Sequence, residues 1–304
     1  MNARETVALA AKHHLVIPAF NIPYLPMMQP VAQAIADENT IAMIQVARLE
    51  WVKFESGSLE AVAEEYARYA IPGNTLLHLD HVPAIDEDNK EVEYIPIIER
   101  AINAGYQSVM IDASRLPLDG NIAATRAVAE LAHQSGVPVE AELGAVAGHE
   151  SGGIGMSYEE LFRTKKGFTD VGEAICFAAE AGCDWLSIAA GSVHGAIAEN
   201  TRKQKKPEAR LDIDHIASLR KAVGGMPLVL HGGSGIKQEY ILSAVANGVA
   251  KINVATEIRQ PYEQALEERP GDVGFARQHV YERTRWVIRD FLKSSNSKAK
   301  LSHD

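Results

Sequence analysis

Short runs of apolar and β-branched residues recur along the chain, and each is followed by a stretch with the spacing of an amphipathic helix. Strands that alternate with helices form parallel βαβ units, so the pattern predicts an α/β fold built on a parallel sheet. The eight predicted strands comprise residues 16–21, 41–47, 75–81, 108–114, 138–144, 185–190, 227–233 and 251–256.

Glycine marks the end of several predicted helices. Gly105, Gly182 and Gly248 each lie just past the last apolar turn of a helical pattern, where a left-handed conformation closes a helix. Residues 1–14 predict a first helix, and residues 257–292 predict a helical C-terminal extension. The polar tail after residue 293 is expected to fray.

Two architectures fit this alternation, an open doubly wound sheet and a closed barrel. No GxGxxG motif follows the first strand, and polar residues of functional type stand at the end of nearly every strand. A barrel brings its strand ends together around one mouth, so we predict a single (β/α)8 TIM barrel domain over residues 1–304. The segments 145–170 and 195–212 then form extended βα loops over that mouth.

Composition and charge limit the kinds of partner and the cellular compartment that we expect. The net charge of −10 argues against a nucleic-acid-binding surface, which has to be basic, and the run at residues 202–206 is interpreted as a solvated charged segment. No apolar run is long enough to span a membrane, and the N-terminus has no signal-like pattern. With only Cys176 and Cys183, interpreted as packed thiols, a cytoplasmic protein is expected.

Three histidines fall at or just beyond predicted strand ends: His81, His194 and His231. Imidazole is a common metal ligand, and three of them with an open coordination position are typical of a catalytic metal site. Each alone is more typical of a structural histidine, but the three together at one barrel mouth favour a metal. His149, in the loop after the fifth strand, is a weaker fourth candidate.

Carboxylates cluster at the same level of the predicted barrel. Asp80 adjoins His81, Asp112 ends the fourth strand, and Glu140 and Glu142 share one face of the fifth. Such carboxylates can orient ligand histidines or act in proton transfer. Glu150 lies on the glycine-rich loop, from which it could close over a substrate.

Two glycine-rich or polar turns follow the seventh and eighth strands. HGGSG, from His231 to Gly235, allows close backbone approach to a ligand, and KINVATE, from Lys251 to Glu257, ends in polar donors. Loops at these two positions of a barrel frequently bind phosphate, so a phosphorylated small molecule is the expected ligand.

These residues resemble the class II, metal-dependent ketose-bisphosphate aldolases, most closely the fructose- and tagatose-bisphosphate types. The resemblance runs over residues 16–259, and it rests on HLDH, MIDAS, VEAELG, the HG after the sixth strand, LVLHGGSGI and KINVATE, in that order. It implies a zinc-dependent lyase, with other divalent metals as alternatives, that cleaves a phosphorylated ketose into dihydroxyacetone phosphate and an aldehyde. A monovalent cation that assists phosphate binding and a homodimer or homotetramer are also implied.

Residue roles follow from the same resemblance. It implies zinc ligands at His81, His194 and His231, an acid/base at Asp80 for the C4 hydroxyl, and a second proton-transfer group at Glu150. Glu142 and Asp112 match carboxylates near an alternative, buried metal position. The residues that match the dihydroxyacetone-phosphate site are Gly195, Gly232, Gly233, Ser234, Asn253, Val254, Ala255 and Thr256.

The chain departs from the family pattern where the aldehyde would bind. Ala47 and Arg48 stand where the family usually has a serine after Gln45, and Val82 replaces a common glycine. Pro23 and Tyr24 replace a second asparagine, and His149 replaces a loop carboxylate. These changes predict a non-standard aldehyde or ketose. The candidate specificity residues are Asn21, Arg48 and Arg259.

Three other functions fit parts of the pattern. A Schiff-base aldolase would use Lys251, although this lysine begins its predicted strand instead of ending it. A metal-dependent hydrolase would use the same histidines to activate water. A non-catalytic sugar-phosphate-binding protein would need neither Asp80 nor Glu150.

Overall fold

The computed structural model describes residues 1–145, 158–192, 209–233 and 235–301. Eight parallel strands follow one another around a closed barrel, and β8 pairs with β1 through Ile17 opposite Lys251. This confirms the predicted (β/α)8 barrel. The strands are β1 Ile17–Asn21, β2 Ala42–Ala47, β3 Thr75–Pro83, β4 Ser108–Asp112, β5 Val139–Leu143, β6 Trp185–Ile188, β7 Leu228–Leu230 and β8 Val249–Val254.

Helices follow the strands and cover the outside of the barrel. Gly105, Gly182 and Gly248 have φ values of 91°, 77° and 104° just beyond three helices, which confirms the predicted glycine ends. The helices are α1 Ala3–Lys12, α2 Met28–Asp37, α3 Arg48–Lys53, α4 Leu59–Tyr69, α5 Tyr94–Asn103, α6 Leu118–Gln134, α7 Tyr158–Thr164, α8 Val171–Glu180, α9 Ile213–Ala222, α10 Gln238–Ala246, α11 Thr256–Glu268, α12 Val273–Trp286 and α13 Ser297–Leu301.

Buried apolar side chains form two clusters, one outside the barrel wall and one inside the barrel. The larger one lies between the barrel wall and the outer helices, where branched and aromatic residues exclude water. The smaller one fills the lower barrel interior and includes Val7 of α1, Ile17, Met43 and Val229. Helix α1 therefore closes the amino-terminal end of the barrel, and the polar interior residues are left to the opposite, carboxyl-terminal end.

The C-terminal segment is more ordered than its composition indicates. The polar tail was predicted to fray, but α13 packs back onto the barrel and buries Ser297 and Leu301. Ser297 Oγ lies 2.6 Å from Thr40 Oγ1, and Lys298 donates to Asn74 Oδ1 at 2.7 Å. For residues 297–301 that expectation was wrong, because side-chain hydrogen bonds to two inter-element turns compensate for the low apolar content.

The two cysteines differ in their exposure. Cys183 is buried as predicted, whereas Cys176 is exposed, so the expectation of two packed thiols was wrong for Cys176. Among the described residues, no helix combines the length and the apolar character that crossing a bilayer would need.

Candidate active site

Asp80 and His81 reach the same site although they are neighbours on one strand. Leu79 pairs with Val109 and Val82 pairs with Ile111, so two residues of β3 stand opposite the single residue Met110 of β4. His81 has a φ of 21°, an uncommon value for a residue with a side chain. This β-bulge breaks the regular alternation of side chains and directs both residues toward the barrel mouth.

His231 meets them from across the barrel. It follows β7 directly and is fully buried, and its ring centroid lies 4.5 Å from that of His81 with an edge-to-face angle of 70°. One donor atom each from Asp80, His81 and His231 lies within 4.8 Å of the others. The structure therefore brings together these three sequence-predicted residues in a group that could bind a metal ion.

Each of the two imidazoles has a carboxylate on its far side. His81 Nδ1 lies 3.1 Å from Asp112 Oδ2, and His231 Nε2 lies 2.7 Å from Glu140 Oε1. Metal-binding histidines commonly donate their second ring nitrogen to a carboxylate in this way. His81 Nε2 and His231 Nδ1 lie on the other side of each ring, and a donor set of two imidazoles and a carboxylate fits a borderline metal such as zinc.

Glu142 lies next to both histidines. Its Oε2 is 3.3 Å from His231 Nδ1 and 4.0 Å from His81 Nδ1. With His81 and Asp112 it forms a second group whose donor atoms lie within 4.8 Å of one another. Burial raises the pKa of Glu142, and the nearby Asp112 raises it further. The position fits the predicted alternative metal site, which stays a prediction.

The charges of the site favour a cation. Burial lowers the pKa of His81, but Asp80, Asp112 and Glu142 outweigh it and raise that pKa to about 10. Burial also raises the pKa of Asp80, but the charges of His81, His231 and Lys251 lower it to about 2. Asp80 is consequently a carboxylate at neutral pH, as a proton acceptor must be.

Two asparagine amides fix the carboxylate of Asp80. Asn21 Nδ2 donates to Oδ2 and Asn253 Nδ2 donates to Oδ1, both at 2.9 Å. Asn21 also accepts from Gln45 Nε2 at 2.8 Å and donates to Glu50 Oε2 at 3.2 Å. Both asparagines were candidate substrate-contacting residues; in the structure their side chains contact Asp80, and their contact with a substrate stays a prediction.

Glu50 also belongs to this site, although it was not among the residues predicted from the sequence. Its Oε2 accepts from the backbone N–H of Ala47 at 2.8 Å, which caps helix α3. Burial raises the pKa of Glu50 to about 8. The available signal was a carboxylate three residues after a strand end, a common helix-capping position.

Lys251 points into the barrel interior and is fully buried. Its ammonium donates to Asn253 Oδ1 at 2.7 Å and lies 2.9 Å from Glu140 Oε2. The lysine is the third residue of β8, not the first as predicted. These contacts to a carboxylate and an amide oxygen engage its nitrogen, which opposes its use as a Schiff-base nucleophile.

Both predicted phosphate turns stand at the barrel mouth. Gly232 has a φ of 68°, and a Cβ on Gly233 would lie 2.8 Å from Ile252 Cγ2. Val254 ends β8, and helix α11 begins at Thr256 with no side-chain hydrogen bond from its N-cap residue, Ala255. Glu150, His194, Gly195 and Ser234 lie outside the described residues, as do His149 and the basic run at 202–206.

The arginines proposed for specificity are both paired with carboxylates. Arg48 begins α3, and its Nη1 lies 3.5 Å from Asp86 Oδ2. Arg259 donates to Glu263 at 2.6 Å and lies over the Phe54 ring at 5.4 Å. Arg48 is next to Ala47, the residue that pairs with Asp80, so it stands beside the site. Arg259 is buried, and its contact with Phe54 packs α11 against the segment that follows α3.

Known proteins resemble this chain over nearly its whole length. The family model described as Fructose-bisphosphate aldolase class-II matches residues 1–300. A fructose-bisphosphate aldolase of Streptococcus pyogenes serotype M3 is 33% identical over 273 residues, covering 88% of this chain and 83% of that protein. One from Streptococcus pneumoniae serotype 4 is 32% identical over 271 residues, with the same coverage.

Solved structures give the same result. The YdjI aldolase of Escherichia coli K12 is 28% identical, with a TM-score of 0.74 over 97% of this chain and 98% of that one. Fructose-bisphosphate aldolase from Campylobacter jejuni is 20% identical, with a TM-score of 0.69 over 94% and 92% of the two chains. At that identity the second likeness shows a shared fold only.

Proposed function

Because the chain belongs to the class-II fructose-bisphosphate aldolase family, we propose that it reversibly cleaves a phosphorylated ketose into dihydroxyacetone phosphate and an aldehyde. Members of this family are metal-dependent and act on phosphorylated sugars. The observation that carries the proposal is the convergence of Asp80, His81 and His231 at the mouth of the barrel. A carboxylate base beside two histidines that could hold a metal suits the cleavage of a carbon–carbon bond in a ketose.

Zn²⁺ is the proposed metal. His81 and His231 would bind it together with His194, which lies outside the described residues. Such an ion supplies a Lewis acid that polarises the ketone oxygen of the substrate. Support for zinc over a harder cation comes from the imidazole nitrogens, because Mg²⁺ and Ca²⁺ prefer oxygen ligands.

Asp80 is the proposed acid/base. Its ionised state and its two amide donors orient one carboxylate to accept the proton of a substrate hydroxyl during cleavage. In the condensation direction the same group returns that proton. We propose Glu150 for the second proton transfer, at the carbon next to the ketone, on the basis of its place in the sequence motif.

The phosphate of the substrate is proposed to bind between the ends of β7 and β8. Gly232 and Gly233 let the backbone approach an anion closely, and the start of α11, which has no side-chain cap, presents backbone N–H groups to it. Gly195, Ser234, Val254, Ala255 and Thr256 complete the proposed set, with a monovalent cation as an assisting ion. Asn253 would contribute through its backbone, because its side-chain amide is engaged with Asp80 and Lys251.

The aldehyde is proposed to differ from that of the ordinary family reaction. Arg48 stands beside the Asp80 end of the site and, with 21% of its side chain exposed, is the specificity candidate that remains accessible. A homodimer or homotetramer in the cytoplasm is proposed by analogy with the family; sedimentation velocity on the full chain measures the oligomeric state.

A screen of aldehydes for condensation with dihydroxyacetone phosphate tests the proposal, with the metal content measured on the same sample. We expect condensation with at least one aldehyde, loss of activity after chelation, and recovery with Zn²⁺. Asp80→Asn should lower turnover by about 10²–10⁴-fold, whereas the exposed Asp119→Asn should match the parent.

Three results would contradict parts of this proposal. A metal-loaded protein that forms no carbon–carbon bond with any aldehyde, or that hydrolyses the substrate instead, would exclude the aldolase. Ordinary full activity on fructose 1,6-bisphosphate would exclude only the non-standard aldehyde. Activity that survives chelation and is trapped by borohydride would restore a Schiff-base mechanism.

A further inference from the structure

A chain of buried charged groups leads from Lys251 to His231, one of the two histidines that could bind a metal. Lys251 Nζ lies 2.9 Å from Glu140 Oε2, and Glu140 Oε1 lies 2.7 Å from His231 Nε2. All three side chains are fully buried. Trp185 Nε1 also donates to Glu140 Oε2 at 2.7 Å, so both oxygens of this carboxylate are occupied.

A second branch leaves the same lysine. Lys251 Nζ donates to Asn253 Oδ1 at 2.7 Å, and Asn253 Nδ2 donates to Asp80 Oδ1 at 2.9 Å. The Lys251 ammonium therefore contacts two residues that each bind a residue of the site: Glu140 accepts from His231, and Asn253 donates to Asp80.

Stability alone gives a poor account of this arrangement. The interior of a (β/α)8 barrel is ordinarily filled with branched apolar side chains, which pack without desolvating a charge. Buried ion pairs recover their desolvation cost only partly, and apolar replacements of similar volume are often no less stable. A full charge in this position is better explained by what it does to its neighbours.

The chemistry of the two neighbours defines that effect. An ammonium group can only donate, so Glu140 and Asn253 must both accept from it. Glu140 then accepts again from His231, which keeps one imidazole hydrogen on Nε2 and makes Nδ1, the nitrogen 3.3 Å from Glu142, the one that gives up its hydrogen when a metal binds. Asn253, with its oxygen toward Lys251, can present only its NH₂ group to Asp80.

We propose that Lys251 is a positioning residue that sets the tautomer of His231 through Glu140 and the amide orientation of Asn253 toward Asp80. One buried cation thereby orients the metal-binding half and the proton-transfer half of the site together. The inference rests on the proposed function for the role of Asp80, but its metal branch concerns zinc binding by the protein, whatever reaction it catalyses.

The metal branch is tested by zinc affinity, measured by competition with a chromophoric chelator. Lys251→Met keeps a similar volume and removes the charge, and we expect the zinc dissociation constant to rise about 10–100-fold, as for loss of other outer-shell partners. Glu140→Gln should weaken binding to a similar extent. Lys221→Met, at an exposed position of α9, is the matched control and should leave the affinity unchanged.

The route through Glu140 is tested by combining the variants. In a Glu140→Gln background, Lys251→Met should change zinc affinity less than about threefold, because the group through which it acts is already altered. Independent, additive losses would overturn the route, and a folded Lys251→Met variant with parental affinity would overturn the metal branch. If Lys251→Met alone does not fold, the double variant, which has no unpaired charge, is compared with Glu140→Gln, and a difference in zinc affinity above about threefold overturns the route. Parental zinc affinity in Glu140→Gln overturns the metal branch.

The Asn253 branch predicts a loss of turnover, which the zinc-affinity measurements do not detect. Once an aldehyde substrate is known, zinc-saturated Lys251→Met/Glu140→Gln should retain KM within about threefold and lose kcat at least about tenfold relative to Glu140→Gln, because Asp80 loses an oriented donor. Unchanged kcat would overturn this branch. If the protein has no aldolase activity, the proposed function fails while the zinc measurements still test Lys251.

Discussion

Asn21 donates a hydrogen bond to Asp80 across the width of strand β2, with its Nδ2 2.9 Å from Oδ2 of the carboxylate. The orientation of this amide is fixed from both sides. Gln45 on β2 donates to its oxygen, and Glu50 accepts its second hydrogen. Polar side chains on three neighbouring strands thus orient the Asn21 amide so that it donates to Asp80, the proposed base.

Asn21→Ala tests how much this donor contributes. The substitution removes one of two amide donors to Asp80, and a hydrogen bond to a charged group contributes about 1.5–3 kcal/mol. If that contribution is realised in the transition state, kcat/KM should fall about 10- to 100-fold. Steady-state kinetics in the condensation direction give the value, with zinc content checked to remain stoichiometric.

Asn103→Ala, at an exposed position that ends α5, serves as the control and should behave like the parent. A fully active Asn21→Ala with normal zinc content would show that Asn253 alone orients Asp80. A KM increase with unchanged kcat would instead assign Asn21 to substrate binding, as the sequence predicted.

The sequence was sufficient for the fold because the barrel depends on local patterns. Alternating strand and helix signals, and glycines such as Gly105 just past helix ends, are properties of short segments, and the eight strands lie near their predicted positions. Strand ends are less local: β7 has only three residues, and β8 starts two residues earlier than predicted. Tertiary pairing sets these ends, not residue preference.

The contacts within the site could be predicted only in part. Asp80, His81 and His231 were identified by residue type and strand position, and the structure brings them together. A regular strand would have pointed Asp80 and His81 to opposite faces, and nothing in the sequence marks the bulge that corrects this. The partners of Lys251 and Asn21 come from distant strands, so their contacts depend on barrel closure. The roles of Glu150 and His194 stay predictions.

Gly233→Ala tests whether the turn after β7 needs close packing. A Cβ at this position would lie 2.8 Å from Ile252 Cγ2 and 3.2 Å from the carbonyl oxygen of Asn253. Ile252 is β-branched and fully buried, so it has little freedom to move. We expect a loss of about 1–3 kcal/mol of stability, as for other overpacked sites. Thermal unfolding of the metal-free protein measures it.

The matched control is Gly274→Ala on α12, where the nearest atom to a new Cβ is Asp272 Oδ1 at 3.5 Å, an ordinary contact. Its unfolding temperature should equal or exceed that of the parent, because alanine favours a helix. Equal unfolding temperatures for Gly233→Ala and the parent would mean that the turn relaxes, and the close approach would then not explain the glycine.

Glu50 predicts a pH dependence of stability with a definite sign. Burial raises its pKa from 4.5 to about 8 in the folded protein, so the folded state binds a proton that the unfolded state releases between these values. Stability from this group is therefore fully present below pH 4.5, falls as the pH rises toward 8, and levels off above it. The full difference is on the order of 5 kcal/mol.

Glu50→Gln should remove this dependence. A neutral carboxyl has one acceptor oxygen and one O–H donor, and the glutamine amide reproduces both, so Ala47 N–H and Asn21 keep their acceptor. At pH 5 the variant and the parent should unfold at similar temperatures, whereas at pH 8.5 the variant should be more stable by several degrees. Glu64→Gln, which changes an exposed carboxyl of α4, should show no such divergence. A constant difference between Glu50→Gln and the parent from pH 5 to 8.5 would mean that Glu50 is already ionised in the folded protein, with Asn21 and the Ala47 N–H stabilising its charge.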